Sequence, residues 1–502
     1  MRKNGILLHI SSLPSNYGIG KLGNSAYDFV RFLNAGKVTY WQILPISPTS
    51  YGDSPYQSFS VNAGNPYFID FELLEEDGLL DWDEYGYAEW EENPRRVNYS
   101  MIYKEIFDVL RIAFERFKKL GNVKKADYRK FVAAQKSWLN EYAFFMALKF
   151  KNGGKAWYEW EKPLAMRDTA AIAASKKELE DEIEFFKFLQ YKFFEQWYKL
   201  KAFANSQGVK IIGDIPIYAA YDSVEAWANP KLFAFDKDKK PIAVAGCPPD
   251  GYSPTGQLWG NPVYDWAYHR KTGYSWWVNR IKFATEVYDV VRIDHFRGFE
   301  SFYAIPFGAE TAEAGEWRKG PNAELFKVAE EKLGKLNIIA EDLGFLTPEV
   351  SQMLEEVGYP GMKVLQFAFD KGKNGYLPHN YSTTNSFVYT GTHDNETLQG
   401  WASGMSKKSL KFAKEYLGVK KRRELADAVI RQAWASVGIT AIAQMQDFLD
   451  CTADDRMNTP STLGCNWQYR TVASDFTPKL VKKIRNLNRI YNRIGGKDES
   501  TD

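Results

Sequence analysis

Asp289-Val290-Val291-Arg292-Ile293-Asp294-His295-Phe296-Arg297-Gly298 is a short β-branched run that ends in an acid. Two later stretches repeat the form. Asn337-Ile338-Ile339-Ala340 runs into Glu341-Asp342-Leu343-Gly344, and Ser386-Phe387-Val388-Tyr389-Thr390 precedes Thr392-His393-Asp394-Asn395-Glu396. Glu341 follows Asp294 by 47 residues, and Asp394 follows Glu341 by 53. Such intervals hold one strand and one helix, so the three acids belong to successive strand ends of an alternating α/β fold. Acids at several strand ends of one barrel converge on one site.

Outward from this core, further β-rich runs bounded by turn residues lie at 5–10, 39–44, 209–214, 362–367 and 439–444. With 289–294, 336–341 and 386–390 they make eight. Helical patterns fill most intervals after 220. The expected fold is an α/β (β/α)8 TIM barrel, with an open doubly wound sheet as the alternative. The interval 46–208 is too long for a crossover. We expect a barrel from 1–67 and 209–493, a largely helical inserted subdomain over 68–208, and a frayed tail at 494–502. In the insertion, Ser175-Lys176-Lys177-Glu178 has capping-box form, and Ile183, Phe186, Leu189, Phe193, Trp197 and Leu200 follow at helical spacing. Trp138, Tyr142, Phe145 and Met146 mark a second amphipathic helix.

Composition narrows the function. Lys and Arg number 65 against 63 Asp and Glu, so no net field draws nucleic acid or an anionic membrane. Aromatic residues are 16 % of the chain, and flat rings suit both core packing and the apolar face of a sugar. The three cysteines, Cys247, Cys451 and Cys465, have no metal-binding spacing and point to a reducing compartment, hence the cytoplasm. No transit peptide is evident, as a plastid protein would need. Gly18-Ile19-Gly20-Lys21-Leu22-Gly23 matches a dinucleotide-binding pattern. It stands too far past the first strand, with Pro14 between, and reads as a barrel loop. No cofactor or metal is expected.

Paired carboxylates facing one bond are what glycosyl transfer requires. Arg292 and Asp294 are two apart on a strand and point the same way, which keeps the acid ionised. Glu341 ends an apolar run, where burial raises a carboxyl pKa and retains a proton.

The same residues carry a resemblance that covers nearly the whole chain. Ser12-Leu13-Pro14-Ser15, Ser54-Pro55-Tyr56-Gln57-Ser58, Asn65-Pro66-Tyr67, Gly213-Asp214-Ile215-Pro216, Gly256-Gln257-Leu258-Trp259-Gly260-Asn261-Pro262 and Asn458-Thr459-Pro460, with the three acidic motifs, resemble the 4-α-glucanotransferases of glycoside hydrolase family 77. The resemblance implies a barrel without a C-terminal β-sandwich, with Asp294 as nucleophile, Glu341 as acid/base and Asp394 as transition-state stabiliser. It implies that Asp214, Arg292 and His393 surround the reacting sugar and that Tyr56 stacks on it. Residues 247–262, with Tyr252 and Trp259, match a flexible loop over the substrate, and Asn458 and Pro460 match a neighbouring loop. The implied partners are α-1,4-glucans and glucose as acceptor, for a monomer or homodimer. Gly251 and Asn322 depart from the family pattern. An amylase-like hydrolase would use the same acids and is the alternative reading.

Overall fold

A computed structural model describes residues 2–494 except 51, 250–252, 345 and 370–374. Eight short strands form a parallel barrel: β1 Lys3–Leu7, β2 Tyr40–Gln42, β3 Lys210–Ile215, β4 Val290–Ile293, β5 Ile338–Ala340, β6 Gly361–Val364, β7 Ser386–Tyr389 and β8 Thr440–Gln444. They run in the order β6-β7-β8-β1-β2-β3-β4-β5, so each strand lies beside its neighbour in sequence. β1 pairs with β2 on one side and, Lys3 to Thr440, with β8 on the other. The Ala340 N–H donates to the Pro360 carbonyl at 2.9 Å and closes the ring between β5 and β6. All eight strands expected from sequence are present, each within a few residues of its place.

Between β2 and β3 the chain is mainly helical, including Tyr99–Lys119, Leu139–Lys151 and Glu180–Ser206. Three acids in the first turn of Glu180–Ser206 favour its start, and its stripe of Phe186, Leu189, Phe193, Trp197 and Leu200 is fully buried. Gln190 on this helix accepts from the Gly64 N–H at 2.7 Å and donates to the Gly64 carbonyl at 2.9 Å. One and a half turns on, Gln196 does the same for Asp70, at 2.8 and 3.1 Å. The long helix thus holds the segment leaving β2 by its backbone.

Three expectations change. Ser175 lies inside the helix Thr169–Glu178; its N-cap is Asp168, whose carboxylate accepts from Ala170 and Ala171. Leu139–Lys151 is buried nearly all round rather than along one stripe. Residues 257–262, expected within a loop, form the strand Gln257–Pro262. It pairs antiparallel with Ala243–Cys247, which pairs with Ser301–Pro306, which pairs with Glu316–Lys319. This four-stranded sheet is built from the segments that follow β3 and β4. Tyr252, Gly251 and most of the tail expected at 494–502 lie outside the described residues.

The glycines at 18–23 serve close packing. A Cβ on Gly18 would lie 2.0 Å from the Trp90 carbonyl oxygen, and one on Gly20 would lie 1.8 Å from that of Ile10. Lys21 between them is buried, donating to the carbonyls of Tyr67 and Ile69.

Candidate active site

Asp214 is the fifth residue of β3, opposite Arg292 of β4 in register. Asp294 and Glu341 are the first residues beyond β4 and β5, and Asp394 lies five residues beyond β7. All four acids therefore stand at the C-terminal mouth of the barrel, where the strands splay and backbone pairing ends.

The centre of the site is one guanidinium. Arg292 Nη1 donates to Asp214 Oδ2 at 2.6 Å and to Asp294 Oδ1 at 3.0 Å, while Nη2 lies 3.6 Å from Glu341 Oε2. Side-chain exposure is 3 % for Arg292, 0 % for Asp214, 15 % for Glu341 and 26 % for Asp294. The arginine and Asp214 thus form a buried support, and Asp294 opens to the mouth. Burial opposes the charge of Arg292, but Asp214, Asp294 and Glu341 outweigh it and hold it firmly protonated. Three carboxyls share this single cation. Burial raises the Asp214 carboxyl, with Arg292 pulling the other way. Glu341 is pushed up to about 8, first by burial and then by the charge of Asp294. Glu341 is also the farthest of the three from the guanidinium, which favours a proton on it at neutral pH. The His295 N–H, presented by a left-handed backbone at φ 51°, donates to Glu341 Oε2.

A second cluster flanks the first. The Tyr56 hydroxyl donates to Asp214 Oδ2 at 2.8 Å, and its ring stacks on His393 at 4.9 Å and 14°. Burial lowers the His393 pKa, so the imidazole is neutral. Its Nε2 lies 3.3 Å from Asp394 Oδ1, which also accepts from Asn458 Nδ2 at 2.6 Å. Asp394 is the most open of the acids, at 43 %. Trp467 closes the cluster, its ring centre 5.8 Å from Tyr56 and 5.9 Å from His393.

Of the residues singled out in the sequence, Tyr56, Asp214, Arg292, Asp294, Glu341, His393, Asp394 and Asn458 meet in this network. Trp259 borders it, ring edge to face on His295 at 4.8 Å. Pro460 is an exposed turn residue two positions past Asn458 and is not part of this network among the described residues. Sequence reasoning missed His295, Trp467 and Arg456. Arg456 donates to the Asp394 carbonyl at 2.5 Å and to the Asn458 carbonyl at 2.8 Å, tying the two loops together. His295 stood inside a quoted motif, but nothing local showed that it adopts a left-handed backbone or that Trp467 returns to Tyr56.

A barrel whose mouth holds an open acid beside a buried, proton-retaining one is a glycosyl-transferring enzyme of the carboxylate-pair type. The family model described as 4-alpha-glucanotransferase matches residues 8–474. A 4-alpha-glucanotransferase of Clostridium butyricum is 49 % identical over 97 % of this chain and 100 % of its own. One of Thermus thermophilus is 42 % identical over 98 % and 99 %. An amylomaltase from Streptococcus agalactiae, solved in complex with acarbose, superposes with a TM-score of 0.96 at 42 % identity, over 98 % of this chain and 100 % of that one. The chain belongs to the 4-alpha-glucanotransferase family.

Proposed function

We propose that this transferase moves segments of α-1,4-glucan from a donor chain to the 4-hydroxyl of glucose or of another glucan by a retaining double displacement. Asp294 attacks the anomeric carbon. Glu341 gives its proton to the departing 4-oxygen, and a covalent glucosyl-enzyme forms. The shortened fragment leaves, an acceptor enters, and Glu341, now a base, takes the proton of its 4-hydroxyl. Asp394, held by Asn458 and His393, faces the charge that develops on the sugar. Tyr56 and Trp259 supply apolar surface on the two sides. Each catalytic group comes from one copy of the chain, so a single copy suffices for the chemistry. Three cysteines, none in a disulfide, favour the cytoplasm as its place of work.

The observation that carries this reading is the shared guanidinium, which sets an open acid and a proton-retaining acid around one point. Transfer over hydrolysis requires an acceptor to outcompete water, which the aromatic borders of the site favour. The test is incubation with pure maltotriose and separation of products by length. Glucose together with maltopentaose and longer chains, without gain in reducing ends, is the expected result. Glucose and maltose with rising reducing ends would make the chain a hydrolase.

A further inference from the structure

Beside Trp259, which borders the active site, lies a groove of about 830 Å³, its walls formed in part by Trp157, Tyr158, Tyr221, Trp259 and Phe307. Typical ligand sites hold about 300–1,000 Å³. The aromatic surface is unusual for its exposure: Tyr158 is 47 % exposed and Phe307 47 %. Exposed rings gathered in one groove are not explained by core packing.

The rings are held in place from behind. Tyr158 stacks on Tyr221 at 4.4 Å and 10°, and Phe307 meets Tyr221 edge to face at 6.0 Å. The Tyr221 hydroxyl donates to the Lys239 carbonyl at 3.0 Å, and its own carbonyl accepts from the buried Trp157 Nε1 at 2.6 Å. Lys239 is itself buried, its ammonium donating to the carbonyls of Ala165 and Trp227. Asp222 ties the Trp157 N–H to Lys149, which donates to it at 2.5 Å. A surface fixed this firmly loses little entropy on binding. Carboxylates of Glu159 and Asp238 and the amide of Gln57 stand among the rings. Flat apolar faces with polar groups between them suit pyranose rings bearing equatorial hydroxyls.

The direction of the groove identifies what occupies it. Trp259 packs on His295, whose N–H holds Glu341, and the Trp259 carbonyl accepts from Gln57 at 3.2 Å. The groove thus departs from the side of the acid/base, where the leaving fragment exits and the acceptor enters. Tyr56, His393 and Asp394 do not line it. We propose that Tyr158, Tyr221 and Phe307 form a remote platform that binds the reducing-end portion of long acceptor glucans, several units beyond the reacting hydroxyl. The inference rests on the glucan-transfer reading above. The platform favours long acceptors over glucose, which does not reach it.

The test compares glucose with maltohexaose as acceptor at one fixed donor concentration, in the wild type and in Tyr158→Ala, Phe307→Ala and Tyr158→Phe. Both residues are half in solvent, and far-UV circular dichroism checks that the variants fold. In the alanine variants the ratio of kcat/KM for maltohexaose to that for glucose is expected to fall about fivefold or more, through KM, which is the size of one ring contact. Tyr158→Phe, which keeps the ring, is expected to retain most of the ratio. An unchanged ratio in both alanine variants, or a wild type indifferent to acceptor length, would overturn the platform while leaving transfer intact. A wild type that transfers to neither acceptor would instead overturn the transfer reading.

Discussion

Arg292 decides the protonation of the site. A single buried cation serves three carboxyls, and the one held least closely retains the proton the reaction needs. Glu341 must be protonated to act first as an acid. Its pKa is raised to about 8, so the competent form is full below that value and is lost as pH rises through it. We expect kcat/KM to fall about tenfold per pH unit above pH 8. A rate that stays flat to about pH 9.5 would remove Glu341 from this role. The same shift acts on stability in the same direction: the folded protein holds this proton more tightly than the unfolded chain, and that contribution disappears between the ordinary carboxyl range and about pH 8. Asp294→Asn should lower kcat by at least about 10³-fold. Calorimetric binding of maltotriose should persist, because Arg292 and Asp214 keep the mouth in shape; loss of binding as well would count against a nucleophile. At this scale the sequence was legible where strand alternation operates, as in Arg292 and Asp294. Residues 56 and 393 were brought to one sugar only by the resemblance, and the arrival of Trp467 beside them was not legible, because three separate loops meet there and no local period records it.

The strands were readable because each is a short, nearly continuous apolar run, the mark of a sheet buried on both faces. Their ends were less so. The first run extends apolar character to Ile10, yet pairing stops at Leu7, since the barrel mouth opens while Leu8 and Ile10 stay buried. The antiparallel sheet was missed for the opposite reason. Ala243–Cys247 is made of small residues, and Glu316–Lys319 is exposed throughout, so neither shows an apolar alternation. Ser175 misled because a Ser-x-x-Glu pattern recurs inside helices; Asp168 had already capped the turn. The long helix Glu180–Ser206 yields a test of its own. Gln196→Leu would orphan the buried Asp70 N–H, at about 1–3 kcal/mol, while the Asp70 carbonyl keeps the Leu74 N–H at 3.4 Å. Chemical denaturation should show that loss. A near-neutral result would mean that the segment after β2 is held by packing alone.

Across the whole molecule, residues 3–4 and residue 493 meet beneath the barrel. Arg493, fully buried, donates to the carbonyls of Lys3, Trp434, Ser436 and Gly438, and its own carbonyl accepts from Asn4 Nδ2 at 2.8 Å. The sequence reading placed the end of order near this residue but assigned it no task, since an arginine before a polar tail looks like any surface cation. Arg493→Ala is expected to cost about 3 kcal/mol or more in denaturant titration, because charge-assisted bonds to several buried carbonyls are lost together. A loss below about 0.5 kcal/mol, the range of ordinary surface substitutions, would show that the clamp adds nothing.

The pairing of β1 with β8 also sets an order of events in time. Residues 3–7 leave the ribosome well before their partners at 440–444, which follow more than 430 residues later. At about 5–20 residues per second, the first strand waits roughly 20–90 s with one edge unpaired. During that interval the nascent chain carries a ring with a gap, and a gap of that kind can accept a strand from a neighbouring chain. Synthesis of β8 is therefore what turns an open, sticky sheet into an edgeless one.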